Sequence, residues 1–129
     1  MGQPIAYATD STLLDIVEQR DKPTLVMVFL PTCPHCRAIE PHFREYSKQY
    51  ADSVNFVMVN PTENPGITKR YNIRGTPTFL YFCDANLIKT EVGAMHPANL
   101  KRSIDEMIHS GSECAKKTTS LDYDISLYK

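Results

Sequence analysis

Cys33 and Cys36 flank Pro34 and His35, and two thiols at that spacing can close a disulfide or supply half of a metal site. An apolar run, Leu25-Val26-Met27-Val28-Phe29-Leu30, leads into them, and a helix-like stretch from Arg37 to Tyr50 follows. A strand that feeds a helix with CxxC at its first turn is the arrangement that makes a dithiol redox-active. Free backbone N–H groups and the positive end of the helix dipole then favour a thiolate at Cys33. Cys33 is therefore assigned as the nucleophile and Cys36, one turn inward, as the resolving thiol. His35, when protonated, adds a positive charge that lowers the Cys33 pKa further. A zinc site is the alternative, but zinc generally needs a second ligand pair at similar spacing. Cys83 and Cys114 stand far apart and no second CxxC exists, so no metal is assigned. Cys83 and Cys114 are read as lone thiols, with a regulatory or intermolecular disulfide as the alternative.

The elements that must carry this dithiol follow from periodicity. Ile5 to Ala8 suits a short strand. Asp10 or Ser11 is expected to cap a helix to about Gln19, with Leu13, Leu14 and Val17 facing inward. Thr24 to Leu30 is nearly all apolar, as a central strand covered on both faces should be. The helix from Pro34 to Tyr50 repeats Ile39, Phe43, Tyr46 and Tyr50 on one side, with Pro41 removing one helical hydrogen bond. Val54 to Val59 reads as the next buried strand, and Asn64 with Pro65 opens a short helix to Tyr71. Thr78 to Cys83 and Leu87 to Val92 form a hairpin around Asp84-Ala85-Asn86, ended by Gly93. Pro97 starts a last helix with Leu100, Ile104, Met107 and Ile108 on one face and Gly111 as its stop. Alternating strands and helices closed by a hairpin and a helix imply an α/β sheet with helices on both faces.

Composition sets outer limits. The 129 residues suffice for one domain with a real core, and 42% apolar with 22% charged residues is ordinary for a globular chain. A net charge of −1 argues against nucleic acid as the main partner. No apolar run approaches the roughly twenty residues of a membrane-spanning helix. Met1-Gly2-Gln3-Pro4 shows no basic start followed by a long apolar stretch, so no signal peptide is expected. The location expected is cytoplasmic if Met1 is the native start, and periplasmic or otherwise extracytoplasmic if a leader was removed. His42, His96 and His109 are read as structural or solvated, with His96 before Pro97 as a capping candidate, and Lys69, Arg70 and Arg74 as a wet surface.

The landmarks now on the page resemble the thioredoxin family from about Ile5 to Gly111. They are the strand-then-CxxC from Leu25 to Cys36, Pro41 in the following helix, and Asn64-Pro65-Gly66. Tyr71-Asn72-Ile73-Arg74-Gly75-Thr76-Pro77-Thr78 comes next, then Val92-Gly93-Ala94 before the last helix. The resemblance implies a thioredoxin fold, a central mixed β-sheet flanked by helices on both faces. Residues 1–111 are the domain, and 112–129 an extension that is partly mobile or adds an edge strand, since Leu121, Tyr123, Ile125 and Leu127 alternate with polar residues. It also implies that Pro77 is a cis-proline facing the dithiol, and that Thr76 offers its backbone to a substrate chain in the manner of an added strand. Thr32, Gly75 and Gly93 complete the substrate-binding surface implied.

The departures from the family carry information too. Thr32 stands where thioredoxins have Trp, and Pro34-His35 replaces Gly-Pro, as in the DsbA family of strong oxidants. The family's buried Asp and Lys, which move the proton of the second cysteine, are Met27 and Met58 here. Glu40, one helical turn beyond Cys36, could substitute, and DsbA proteins carry a glutamate at that offset. Between Cys36 and Pro77 there is no room for the helical domain that DsbA proteins insert.

The expected activity is thiol-disulfide exchange with protein disulfide or dithiol substrates, by a monomer without a bound cofactor. A reductase or oxidase partner recycles it. Thioredoxin and DsbA differ by roughly 150 mV, about 7 kcal/mol for two electrons, and His35 is expected to shift this chain part of the way toward the oxidising end. The alternatives are a DsbA-like thiol oxidase of an extracytoplasmic space and a redox-silent module that holds peptides in the cis-proline groove.

Overall fold

Residues 5–18 and 22–109 are described by a computed structural model of the chain. Five apolar residues in a row build its centre: β2 (Thr24–Val28) has every side chain buried. A strand can bury both faces only when elements cover each side, and alternate residues divide accordingly. Leu25 and Met27 point into one core with α2 (Pro34–Gln49) and α4 (Pro97–His109). Val26 and Val28 point into the other with α1 (Leu13–Val17) and α3 (Pro65–Arg70). The remaining strands are β1 (Ala6–Tyr7), β3 (Asn55–Val59), β4 (Thr78–Cys83) and β5 (Asn86–Val92), in the order β1-β3-β2-β4-β5. β1 and β2 pair with β3 in parallel, while β2–β4 and β4–β5 are antiparallel. The mixed α/β sheet with helices on both faces is the architecture expected from the sequence.

Helix α2 matters most because it carries the dithiol. Cys36, Ile39, Phe43 and Ser47 are its buried positions, at steps of three, four and four. Phe43 meets Phe56 edge-to-face at 5.3 Å and Phe79 at 6.3 Å between ring centroids. Burying one such ring contributes about 2 kcal/mol, so this helix is held by its inner face rather than by propensity. Pro41 sits inside α2 on its exposed side, where water can satisfy the Arg37 carbonyl that loses its helical donor.

Two local expectations are corrected. Leu14 is 43% exposed, because a five-residue helix turns only Leu13 and Val17 into the core. Asp10 does not cap its own helix. Its carboxylate accepts the backbone N–H groups of Gly66 at 2.9 Å and Ile67 at 2.7 Å, closing the start of α3. Asn64 stands at the N-cap position of α3, as expected, while its Oδ1 accepts the Asp10 N–H at 2.9 Å. These bonds tie the loop before α1 to the start of α3 across 54 positions of sequence. His96 does cap, its Nδ1 accepting the Ala98 N–H at 3.1 Å. The extension 112–129 lies outside the described residues, and with it Cys114 and the alternating segment.

Candidate active site

The site lies where β2 hands over to α2. Leu30 ends the exit from β2, and its carbonyl accepts the Cys33 N–H at 3.1 Å, turning the chain toward the helix. Cys33 is the N-cap of α2, in extended conformation with φ −83° and ψ 120°, and Pro34 takes the first helical position. Cys33 is partly accessible and Cys36 is 1% exposed; both are free thiols. Cys36 belongs to the apolar cluster with Met27, Ile39 and Met58, while Phe29, Cys33 and Met95 pack against its edge.

From the other side comes the segment before β4. The Thr76–Pro77 bond is cis, as the resemblance implied. The Thr76 carbonyl lies 3.4 Å from the Cys33 Sγ and accepts the thiol proton. Two hydrogen bonds hold this segment in place: the Thr78 hydroxyl donates to the Gly75 carbonyl at 2.6 Å, and the Gly93 N–H donates to the Pro77 carbonyl at 2.9 Å. Gly93 does so with φ +99°, a conformation a side chain would oppose.

The two thiols sit in opposite electrostatic surroundings. For Cys33, hydrogen bonding to the Thr76 side chain is the largest influence and favours the thiolate. Burial opposes it, the backbone and thiol of Cys36 and the backbone of His35 add to it, and the pKa is held below the usual thiol range. On ionisation the bond to the Thr76 carbonyl is lost, and these donors take the negative charge. For Cys36, burial is the largest influence and pushes the pKa up; hydrogen bonding and charge repulsion from Cys33 push the same way. Cys33 is thus the thiol that ionises first, and Cys36 the one that stays protonated until Cys33 has reacted.

Cys33, Cys36, Thr76 and Pro77 are brought together from two segments 43 positions apart. Thr32, Pro34 and His35 are exposed around Cys33, and Gly75 and Gly93 are partly exposed on either side of Pro77. Glu40 is on α2 one turn past Cys36, with its carboxylate 2.9 Å from the Arg44 Nε; the same guanidinium donates to the Tyr7 hydroxyl at 2.7 Å. Met27 and Met58 are direct neighbours in the β2–β3 register, and both are 0% exposed. The wall behind Cys36 therefore holds no charge at the two positions where one was sought. Leu30, Thr78 and Met95 received no role from sequence. Leu30 and Thr78 were visible in motifs, as the end of the apolar run before the dithiol and the last residue of Gly-Thr-Pro-Thr. Among the described residues no group of three His, Cys, Asp or Glu side chains could hold a metal ion, and no helix is long and apolar enough to cross a membrane.

Comparison with known proteins agrees with this geometry. The thioredoxin family pattern matches residues 4–106. Thioredoxin 1 of Synechococcus elongatus is 37% identical over 101 residues, covering 78% of this chain and 94% of that protein. Thioredoxin of Acidithiobacillus ferridurans is 34% identical over 108 residues, covering 84% of this chain and 100% of the relative. Among solved structures, the thioredoxin of Malassezia sympodialis superposes with a TM-score of 0.74 at 26% identity, over 84% of this chain and 95% of that one. This chain belongs to the thioredoxin family. It is a thiol-disulfide oxidoreductase.

Proposed function

We propose that this chain reduces and exchanges disulfides in protein substrates through Cys33 and Cys36, without a bound cofactor. The observation that carries the reading is the unequal pair of thiols: an accessible Cys33 whose acidity is raised and a buried Cys36 whose acidity is lowered. The Cys33 thiolate attacks one sulfur of the substrate disulfide, forming a mixed disulfide and releasing the other sulfur as a thiolate. Cys36 then loses its proton and attacks Cys33, so the substrate leaves with both sulfurs reduced and the chain holds a Cys33–Cys36 disulfide. A reductase or a small dithiol returns the two electrons. The Thr76 backbone, beside the Cys33 sulfur, is suited to align an extended substrate segment as an added strand, with Thr32, Gly75 and Gly93 around it. Glu40 is the proposed acceptor of the Cys36 proton, its carboxylate accepting the Arg44 Nε–H at 2.9 Å.

The test is insulin reduction with dithiothreitol as electron donor. The wild-type chain should accelerate it, and Cys33→Ser should lose about a thousandfold or more, the loss expected on removing a covalent nucleophile. Equal rates for the two would overturn the reading and favour a redox-silent peptide-holding module. Titration against glutathione sets the direction of electron flow: the surroundings of Cys33 and the adjacent His35 support a potential above that of an ordinary thioredoxin, and a value at or below it rejects that shift.

A further inference from the structure

Cys36, Glu40 and Arg44 follow one another at steps of four on α2, so they stack along one side of the helix. Helical side chains lean toward the N-terminus, so Arg44 covers the turn of Glu40, and Glu40 covers the turn of Cys36. The Arg44 Nε–H donates to Glu40 Oε2 at 2.9 Å, which leaves Oε1 without a hydrogen-bond partner among the described residues. A half-exposed pair at this spacing, standing alone, would exchange freely with water. It does not stand alone. The Arg44 Nη2 donates to the Tyr7 hydroxyl at 2.7 Å. Hydrogen bonding to Tyr7, and then to Glu40, pushes the guanidinium pKa up. Tyr7 is itself fixed twice, by backbone pairing with Met58 in the β1–β3 register and by an edge-to-face contact with Phe29 at 6.3 Å. Phe29 packs on the core cluster that contains Cys36, and its N–H donates to the Val59 carbonyl at 2.9 Å. One guanidinium thus ties the carboxylate beyond Cys36 to the edge of the sheet.

We propose that Tyr7 and Arg44 are positioning residues for the release step, holding Glu40 over the Cys36 turn so that Oε1 takes the Cys36 proton. Their role rests on that of Glu40 as the proton acceptor. In the step, the Cys36 sulfur bonds to the Cys33 sulfur, and the bond from Cys33 to the substrate sulfur breaks. The substrate sulfur leaves as a thiolate, while the proton passes from Cys36 to Oε1 and then to water. A glutamate side chain left to itself samples several rotamers, and many of them turn the carboxylate into solvent. The strap from Tyr7 through Arg44 removes that freedom, and the gain appears in the rate of the step that uses Glu40. Arginine suits the task because its planar fork serves Oε2 and the Tyr7 hydroxyl together, from different nitrogens. A lysine has a single nitrogen on a flexible stem.

The full-length chain with its dithiol reduced is mixed with equimolar dithiobis(nitrobenzoate) in a stopped-flow instrument. The first coloured thiolate reports attack by Cys33 and the second reports release by Cys36; the Cys33→Ser chain supplies the background. Tyr7→Phe keeps the ring against Phe29 and the charge of Arg44, and removes only the hydroxyl. It should leave the first phase unchanged and slow the second about fivefold, and Arg44→Met should slow the second about tenfold. Arg44→Lys should recover part of the Arg44→Met loss. In a Glu40→Gln background, neither Tyr7→Phe nor Arg44→Met should slow release further. Wild-type release rates in Tyr7→Phe and Arg44→Met, beside a slow Glu40→Gln, would overturn the positioning role and leave Glu40 in place. A Glu40→Gln chain as fast as wild type would remove Glu40 itself, and the roles of Tyr7 and Arg44 with it. Equal slowing of both phases, or slowing undiminished beside Glu40→Gln, would mark a general loosening of α2 and overturn the proposal. The Tyr7 residue is 57% exposed and the Arg44 side chain 43%, so these substitutions leave the core intact.

Discussion

One face of the sheet treats polar groups in two opposite ways. Behind Cys36, at its β2–β3 side, Met27 and Met58 sit side by side with no exposure, and the environment is apolar. At its β4–β5 side, the buried Tyr81 hydroxyl donates to Glu91 at 2.6 Å, Ser103 donates to the other carboxylate oxygen at 3.0 Å, and Lys89 stands 3.2 Å from Glu91. Burial, then the carboxylate of Glu91, push the Tyr81 pKa upward, so this phenol stays a donor. The lesson is that a polar group is admitted beneath α4 where each partner is supplied, and kept out where it would stabilise a charge beside Cys36. The dry wall is what makes burial the dominant influence on the resolving thiol.

The sharpest way to break that contrast is Met27→Asp, which sets an unpaired carboxylate in the dry wall. It should cost about 3–5 kcal/mol in urea unfolding, and adding Met58→Lys opposite it should recover part of the loss. A single variant as stable as wild type would mean that the wall is wetter than its exposures imply. On the polar side, Tyr81→Phe leaves Glu91 with Ser103 and Lys89 and should cost only about 1–2 kcal/mol by the same measurement. A cost above that of Met27→Asp would reverse the comparison. Glu40→Gln should leave stability nearly unchanged and slow release of the mixed disulfide about a hundredfold near neutral pH, the lower end of the usual contribution of a positioned proton acceptor. Stopped-flow measurement of the release step decides, and an unaltered rate removes Glu40 from the mechanism.

The smallest effect is in the pH dependence of the reduced chain. A thiol whose pKa is lowered on folding adds stability that is present above its unfolded pKa, near 9, and is lost as pH falls through the lower folded value. Stability of reduced protein should therefore rise with pH across that window, and Cys33→Ser should flatten the rise. Cys36 has the opposite sign, being raised, so its contribution is lost as pH climbs above about 9. A slope that survives Cys33→Ser would assign the effect to another group.

How far the sequence could be read depends on how local each feature is. The buried steps along α2, the all-apolar β2 and the bounds of β4 are properties of short windows, and they were legible. The capping of α3 by Asp10 was not, because an aspartate there is an acceptable cap for the helix that follows it. Only the docking of the loop before α1 against α3 brings Asp10 within reach of the Gly66 and Ile67 N–H groups. Leu14 failed for a related reason: periodicity assumes a helix long enough to show two turns of one face, and α1 has five residues. The Thr78 hydroxyl stood in a motif that was noticed, yet its bond to Gly75 depends on the turn geometry around Pro77.

By itself, the order of residues determined that a dithiol stands at the start of an amphipathic helix after a buried strand, since spacing and periodicity are encoded within a few residues. The helix start also ranked Cys33 ahead of Cys36, but tertiary structure alone supplied the surroundings that set the two sulfurs apart. Their acidities part because Thr76, 43 positions away, is folded against one sulfur while the packed core closes over the other. Desolvation and hydrogen bonding depend on what surrounds an atom in space, and linear spacing carries no measure of that.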